Sequence, residues 1–189
     1  IYLPIVGAMG QTAPEDLPNV IKQRGTWALD GGGVLMNQGI HQIDLLLWFM
    51  GDPVRLYATT AIRAHRIETE DIGMAILEFP SGAKGTVLGT TTFPTSVYFA
   101  AEVHGTAGAV LIDAALDGTM RVFGTGLEER LATVGNEVHS AMEDMVRAVT
   151  QGTPVRVSGQ EGRRTVALLE HLYRSARERS PVDVSMSGR

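Results

Sequence analysis

Cysteine is absent from this 189-residue chain, and so are long basic or apolar runs. Without cysteine there can be no disulfide, thiolate zinc site or thiol nucleophile, and we expect a cytoplasmic protein. No basic run exceeds Arg163-Arg164 and the formal charge is -5, so the sequence predicts no nucleic-acid surface. No apolar run reaches about 18 residues, so no membrane span is predicted.

The first 23 residues show no clear periodic pattern. They begin with Ile, contain three prolines, and lack the basic start and apolar centre of a signal peptide. We interpret residues 1–23 as an extended lead-in or remnant linker, and residues 24–189 as one domain of a longer protein. With 44% hydrophobic and 20% charged residues, the composition is that of an ordinary globular domain.

Helical and strand patterns occupy separate blocks of the remaining sequence. The apolar segment 34–50 is expected to be a helix, because Gly51-Asp52-Pro53 is a strong stop signal after it. Strands are expected over 54–62, 71–79, 85–93, 96–104, 109–112 and 119–123, and helices over 136–151 and 160–179. Strands without intervening helices form an antiparallel meander, which predicts an α+β domain, a mostly antiparallel open sheet with helices on one face.

A line of polar side chains along the first helix is the main candidate site. At about 100° per residue, Asn37, His41, Asp44 and Trp48 lie on one side of a continuous helix. An imidazole near a carboxylate suits proton transfer, and an amide can hold a substrate hydroxyl. A buried polar network without chemistry is, on these residues alone, an equally good interpretation. We call this line of four side chains the polar stripe. A metal site is less favoured, because neither a second His nor a thiolate accompanies the polar stripe.

Two segments near the stripe offer weaker signals. Arg24 and Trp27 precede the helix and could bring a cation and an indole ring to the same cleft, although simple packing of Trp27 is slightly favoured. The cluster at Glu68, Glu70 and Asp71 is expected to be a solvated charge run in a polar loop.

Two glycine-rich stretches are candidates for phosphate binding. Gly31-Gly-Gly33 does not follow a hydrophobic strand, and Gly105-Thr-Ala-Gly108 lies between two strands. Neither has the GxGxxG spacing that a dinucleotide-binding loop requires. We interpret both as turns and predict no dinucleotide-binding unit in this chain.

Four segments also resemble one protein family, and they occur in that family's order. They are GGGVLMNQGIHQIDLLLWFMG, LEFPSGAKGTV, VHGTAGAVLID and GTPVRVSGQEGRRTVALLEHLYRSARERSPVDV. From about Arg24 to Val184 the chain resembles the C-terminal domain of the Gfo/Idh/MocA family of NAD(P)-dependent oxidoreductases, which includes glucose-fructose oxidoreductase and inositol dehydrogenase. The resemblance implies the family's dihydrodipicolinate-reductase-like α+β fold.

The resemblance also implies roles for the stripe. In the family an N-terminal Rossmann domain, absent from this chain, binds NAD or NADP and supplies a Lys from a Glu-Lys-Pro motif. The family's catalytic His maps onto His41, an acid/base that acts on a sugar hydroxyl. Many members have Asp where this chain has Asn37, so we expect Asn37 to anchor the substrate by hydrogen bonds. Asp44 would contact substrate, orient His41 or serve structure only, and Arg24 and Trp27 would line the substrate site.

Family members form dimers or tetramers through the open sheet face, and the resemblance implies the same here. We therefore expect the substrate-binding and oligomerisation domain of an enzyme that oxidises a sugar, sugar-derivative or cyclitol hydroxyl. Without its cofactor domain the chain should be inactive, and it should bind no cofactor or metal by itself. The alternative is a non-catalytic dimerisation or ligand-sensing module of the same fold.

Overall fold

A computed structural model describes residues 6–8, 25–92, 99–113, 119–133 and 140–185. Within these residues eight strands form one sheet and helices pack against it, which confirms the predicted α+β fold class. The helices are α1 (Trp27–Asp30), α2 (Val34–Asn37), α3 (Gly39–Met50), α4 (Leu127–Ala132), α5 (Ala141–Gln151) and α6 (Gly159–Glu178). The strands are β1 (Val6–Ala8), β2 (Arg55–Ala61), β3 (Ile72–Glu78), β4 (Lys84–Thr90), β5 (Phe99–Gly105), β6 (Gly108–Asp113), β7 (Thr119–Phe123) and β8 (Val182–Asp183).

The sheet is antiparallel except at one pair of strands. Its order is β7-β6-β5-β1-β4-β3-β2-β8, and β1 pairs with β4 in parallel. The predicted meander is therefore interrupted, because β1 lies between β4 and β5. This strand comes from the lead-in, and at three residues it is too short to show a period in the sequence.

The predicted helix over 34–50 is present but divided into α2 and α3. The break falls at Gln38, whose N–H still bonds the Val34 carbonyl, and the His41 N–H bonds the Gln38 carbonyl at 3.3 Å. Gly39 follows the break, and a side chain there would crowd the Val34 carbonyl. Among the described helices, none combines the length and apolar character needed to cross a bilayer.

The hydrophobic core lies between one face of the sheet and helices α2, α3 and α6. Side chains alternate along the central strands, so that every second residue of β2, β3 and β4 points to the helices. Leu35 packs directly over Gly73 and Gly89, which are paired across β3 and β4. Each fully buried leucine of this core contributes about 1.5–3 kcal/mol of transfer free energy. The core fixes the side of α3 that faces inward, and therefore the side that remains open.

Candidate functional site

The polar stripe lies on the surface of the helical layer. Asn37, His41, Asp44 and Trp48 are all exposed, whereas Ile43 between them is buried. Trp48 is 76% exposed. A polar network sealed in the core would require the opposite arrangement. The exposed stripe is therefore available to bind a ligand.

Asn37 and His41 carry the groups that a small polar ligand could use. The Asn37 Oδ1 accepts a hydrogen bond of 3.0 Å from Gln38 Nε2, which leaves the Asn37 NH2 to donate to another molecule. In the part of the chain that the structure describes, the His41 imidazole has no hydrogen-bond partner. An amide NH2 can donate to a hydroxyl or carbonyl oxygen, and an imidazole can take up or release a proton.

Asp44 makes a contact between two helices. Its Oδ1 accepts a hydrogen bond of 2.7 Å from the Thr165 hydroxyl on α6. It also borders a surface depression shared with Trp48 and Val157. Among the roles expected for Asp44, this geometry supports the structural one. The contact is made with Thr165, so the carboxylate is not placed as the partner that orients His41.

Arg24 and Trp27 precede the helix and were expected to line the substrate site, but only Trp27 is among the described residues. Trp27 donates from its indole nitrogen to the Glu68 carbonyl at 3.1 Å, and its ring meets the Tyr173 ring edge-on at a centroid distance of 5.2 Å. Trp27 and Asn37 border two different depressions. These contacts support packing as the role of Trp27. Arg24 lies outside the described residues.

The buried carboxylate of Glu70 organises the backbone beside the stripe. Glu70 is 3% exposed. Its oxygens accept hydrogen bonds from the backbone N–H of Gly33 at 2.9 Å and of Leu35 at 3.0 Å. The Tyr173 hydroxyl donates a third bond, of 2.8 Å. Since the first N–H groups of a helix have no partner within it, Glu70 supplies the partners that α2 needs.

The side chain of Tyr173 stays protonated in this network. Burial, followed by the nearby charge of Glu70 and the hydrogen bond to it, raises the pKa of Tyr173 far above its ordinary value. The hydroxyl therefore remains a donor to the Glu70 carboxylate.

Glycines 31–33 make room for the same network. Gly31 has a left-handed φ of 70° and ends α1. A Cβ at Gly32 would collide with the Tyr173 hydroxyl, and one at Gly33 would collide with the backbone of Glu70. The glycines therefore form a turn, as predicted, followed by two close approaches of the chain.

Asp71 is a second buried carboxylate, and with Glu70 it makes the prediction of a solvated charge run wrong. Burial by itself would raise the pKa of Asp71. Backbone N–H bonds from Ala64, His65 and Arg63, together with the His65 ring, nevertheless lower that pKa below its ordinary value. The carboxylate therefore stays charged and holds residues 63–65 in place.

The sequence also matches a known family. A sequence model of the GFO/IDH/MocA C-terminal domain matches residues 5–111, which is more than half of the chain. This chain belongs to the GFO/IDH/MocA family. The resemblance found in the four segments is confirmed, and the family's fold is the one described above.

Relatives within the family are named as sugar dehydrogenases. D-apiose dehydrogenase of Rhizobium rhizogenes is 24% identical over 170 residues, covering 80% of this chain and 48% of the relative. D-xylose 1-dehydrogenase (NADP(+)) 2 of Haloferax volcanii is 27% identical over 166 residues, covering 81% and 48%. This chain spans about half the length of these curated relatives.

Solved structures of the family share the fold. The WlbA dehydrogenase from Bordetella pertussis, solved with NADH and UDP-GlcNAcA, aligns with a TM-score of 0.81 and 27% identity. The alignment covers 97% of this chain and 54% of that chain. Levoglucosan dehydrogenase with NADH and levoglucosan aligns with a TM-score of 0.74 at 21% identity, over 97% of this chain and 58% of that one. The second comparison bears on the fold alone.

At the glycine turn before α2, three backbone N–H groups already have partners within the chain. Gly33 and Leu35 donate to the Glu70 carboxylate, and Val34 donates to the Glu70 carbonyl at 3.0 Å. A phosphate would need those donors for itself. Among the described residues, no three His, Asp or Glu side chains are grouped to hold a metal ion.

Proposed function

We propose that this chain is the substrate-binding and oligomerisation domain of an NAD(P)-dependent oxidoreductase acting on a hydroxyl of a sugar, sugar derivative or cyclitol. The main support is that Asn37, at the end of α2, and His41, on α3, are both exposed in the segment where the resemblance to the family predicts the catalytic His. The names of the relatives, which are sugar dehydrogenases, support the class of substrate. NAD or NADP would be held by another part of the full-length protein and would accept the hydride.

In this proposal His41 transfers the proton and Asn37 binds the substrate. Oxidation of a CH–OH group to a carbonyl releases a proton from the hydroxyl and a hydride from the carbon. His41 takes the hydroxyl proton as general base. Asn37 holds a substrate oxygen through its NH2 group, because its own oxygen already accepts a bond from Gln38. Asp44 and Trp27 act through packing, which keeps α3 and α1 in place.

The proposal is tested by comparing the turnover of the full-length protein, which includes the cofactor-binding part, with the turnover of this chain alone. The full-length protein is mixed with NAD or NADP and a panel of aldoses, sugar acids and cyclitols, and nicotinamide reduction is followed by absorbance. We expect reduction with at least one substrate, and none when this chain alone is used. Sugar binding by calorimetry without any turnover in the full-length protein would instead favour the ligand-sensing module.

The face of the sheet opposite α2, α3 and α6 supports a role in self-association. Tyr57, Met74 and Ile76 are large apolar side chains on this face, and Met74 is 47% exposed. Met74 pairs laterally with Thr59 on β2 and Leu88 on β4, so apolar and uncharged side chains continue across three strands. Broad exposed apolar patches commonly mark interfaces between subunits. A second copy of the chain is the occupant that the proposal assigns to this face.

A charge placed in this face should weaken self-association. In Met74→Glu the carboxylate would lose water at the interface without gaining a partner. We therefore expect the dissociation constant of the self-associated protein to rise at least about tenfold, which corresponds to about 1.4 kcal/mol. Light scattering over a dilution series measures the change. Met145→Glu on α5 replaces a methionine of similar exposure, 54%, and should leave the mass unchanged. Equal masses for the wild-type protein and Met74→Glu at every concentration would contradict the proposal.

A further inference from the structure

Thr69 carries a buried hydroxyl that has no hydrogen-bond partner in the part of the chain that the structure describes. The residue is 0% exposed. Its backbone is held in place, because the Thr69 N–H donates to the Gly25 carbonyl at 3.2 Å. A buried polar group without a partner lowers the stability of the fold, so a hydroxyl kept in this position requires a reason.

The side chain of Thr69 borders the same small depression as Asn37, beside the glycine turn before α2. Asn37 is exposed and Thr69 is buried, so the depression leads from the surface towards Thr69. Its volume is about 20 Å³. A space of this size admits one water molecule or one hydroxyl group, and it is too small for a sugar ring. A sugar bound at Asn37 could therefore place a single hydroxyl in the depression.

The two carboxylates at this depression already have donors within the chain. Asp30 accepts bonds from two backbone N–H groups, and Glu70 accepts the three bonds described above. A threonine hydroxyl can donate one hydrogen bond and accept two. Rotation about χ1 among its staggered positions can turn that hydroxyl towards a ligand. Of the polar groups named here, the Thr69 hydroxyl and the Asn37 NH2 are therefore the ones left to bind a ligand.

We propose that Thr69 is a specificity-determining residue, which binds one hydroxyl of a polyol substrate while Asn37 binds the neighbouring oxygen. The substrate class is accordingly a sugar or cyclitol with two adjacent hydroxyl groups. This assignment rests on the proposed function, in which Asn37 holds a substrate oxygen and His41 takes the proton. It also gives the reason for the buried hydroxyl, since the partner of Thr69 belongs to the ligand.

Calorimetry on the full-length protein tests the assignment. The probes are the aldose or cyclitol of the panel that binds most tightly, here called the parent sugar, and its monodeoxy analogues. Thr69→Val keeps the shape of the side chain and removes the hydroxyl, so we expect the Kd of the parent sugar to rise at least about tenfold. Thr69→Ser keeps the hydroxyl and should hold that Kd within about threefold of the wild-type value.

The deoxy analogues identify the hydroxyl that Thr69 binds. One analogue should bind the wild-type protein at least about tenfold more weakly than the parent sugar, because it leaves the Thr69 hydroxyl unpaired. Thr69→Val should bind that analogue and the parent sugar about equally. In turnover, Thr69→Val should raise KM much more than it lowers kcat, because His41 still takes the proton.

The stability of the variants separates a ligand-binding hydroxyl from a structural one. Thr69→Val removes no side-chain hydrogen bond within the described residues, so the urea midpoint should stay the same or rise. Ser175→Ala is the control. Ser175 is also 0% exposed, but its hydroxyl donates to the Ser180 carbonyl at 2.7 Å and accepts from the Ala58 N–H at 2.9 Å. This control should lower the urea midpoint and leave the Kd of the parent sugar unchanged.

Four results would overturn the assignment. They are binding of no sugar in the panel, an unchanged Kd in Thr69→Val, an equal loss of affinity for the parent sugar and every deoxy analogue, and a urea midpoint that falls as far as in Ser175→Ala. Turnover tests the proposed function separately. A polyol oxidised with a Kd insensitive to Thr69→Val would keep the function and reject the role of Thr69. A hydroxyl-specific loss of binding without any turnover would keep the role of Thr69 and reject the function.

Discussion

Replacing His41 with alanine in the full-length protein should lower kcat by about 10²–10⁴, the usual contribution of a general acid or base. The loss should appear in kcat more than in KM, because the Asn37 amide would still hold the substrate. His41 is exposed and has no hydrogen-bond partner among the described residues. Its removal should therefore change the free energy of unfolding by no more than about 0.5 kcal/mol.

The open position of His41 allows a chemical rescue of the variant. Added imidazole can reach the space left by the His41→Ala substitution and should restore part of the turnover. His104→Ala is the control, since His104 is also an exposed histidine but lies on β5. It should keep kcat within about twofold, because a group remote from the reacting atoms supplies none of the proton transfer. A kcat for His41→Ala close to that of the wild type would remove His41 from the chemistry.

Local periodicity in the sequence predicted that Asn37 and His41 share one side of a helix, but it left open whether that side is buried or exposed. The structure shows Leu35, Ile43 and Leu46 buried, with Asn37 and His41 exposed. The periodic pattern could not reveal the break at Gln38, because the spacing of buried residues continues across it from α2 to α3. It also predicted α5 from apolar spacing, but spacing cannot tell whether an apolar side is covered by the same domain or by another.

The prediction from sequence that was most clearly wrong is that of a solvated charge run at Glu70 and Asp71. Three acidic residues within four positions have the composition of a solvated loop. The partners of Glu70 are the backbone of Gly33 and Leu35 and the hydroxyl of Tyr173, which are 35 to 103 positions away. Backbone donors leave no trace in the amino-acid sequence. The one available signal was the run of glycines, because Gly32 and Gly33 leave room for Tyr173 and Glu70, while Gly31 adopts a left-handed φ.

Replacing Glu70 with alanine should be among the most destabilising changes in this chain. The substitution leaves the N–H groups of Gly33 and Leu35 and the hydroxyl of Tyr173 without an acceptor. Each unsatisfied buried donor costs about 1–3 kcal/mol, and partial entry of water would recover some of the loss. We expect the free energy of unfolding, measured in urea, to fall by about 3–5 kcal/mol.

The Tyr173→Phe substitution removes only the third hydrogen-bond donor of the Glu70 carboxylate. The phenyl ring keeps its edge-on contact with Trp27, and Glu70 keeps both backbone donors. The loss should therefore be about 1 kcal/mol. If Glu70→Ala costs no more than Tyr173→Phe, the carboxylate does not hold the start of α2. If it costs far more, the substrate affinity of the full-length protein should fall with it, because α2 ends at Asn37 and its orientation depends on that first turn.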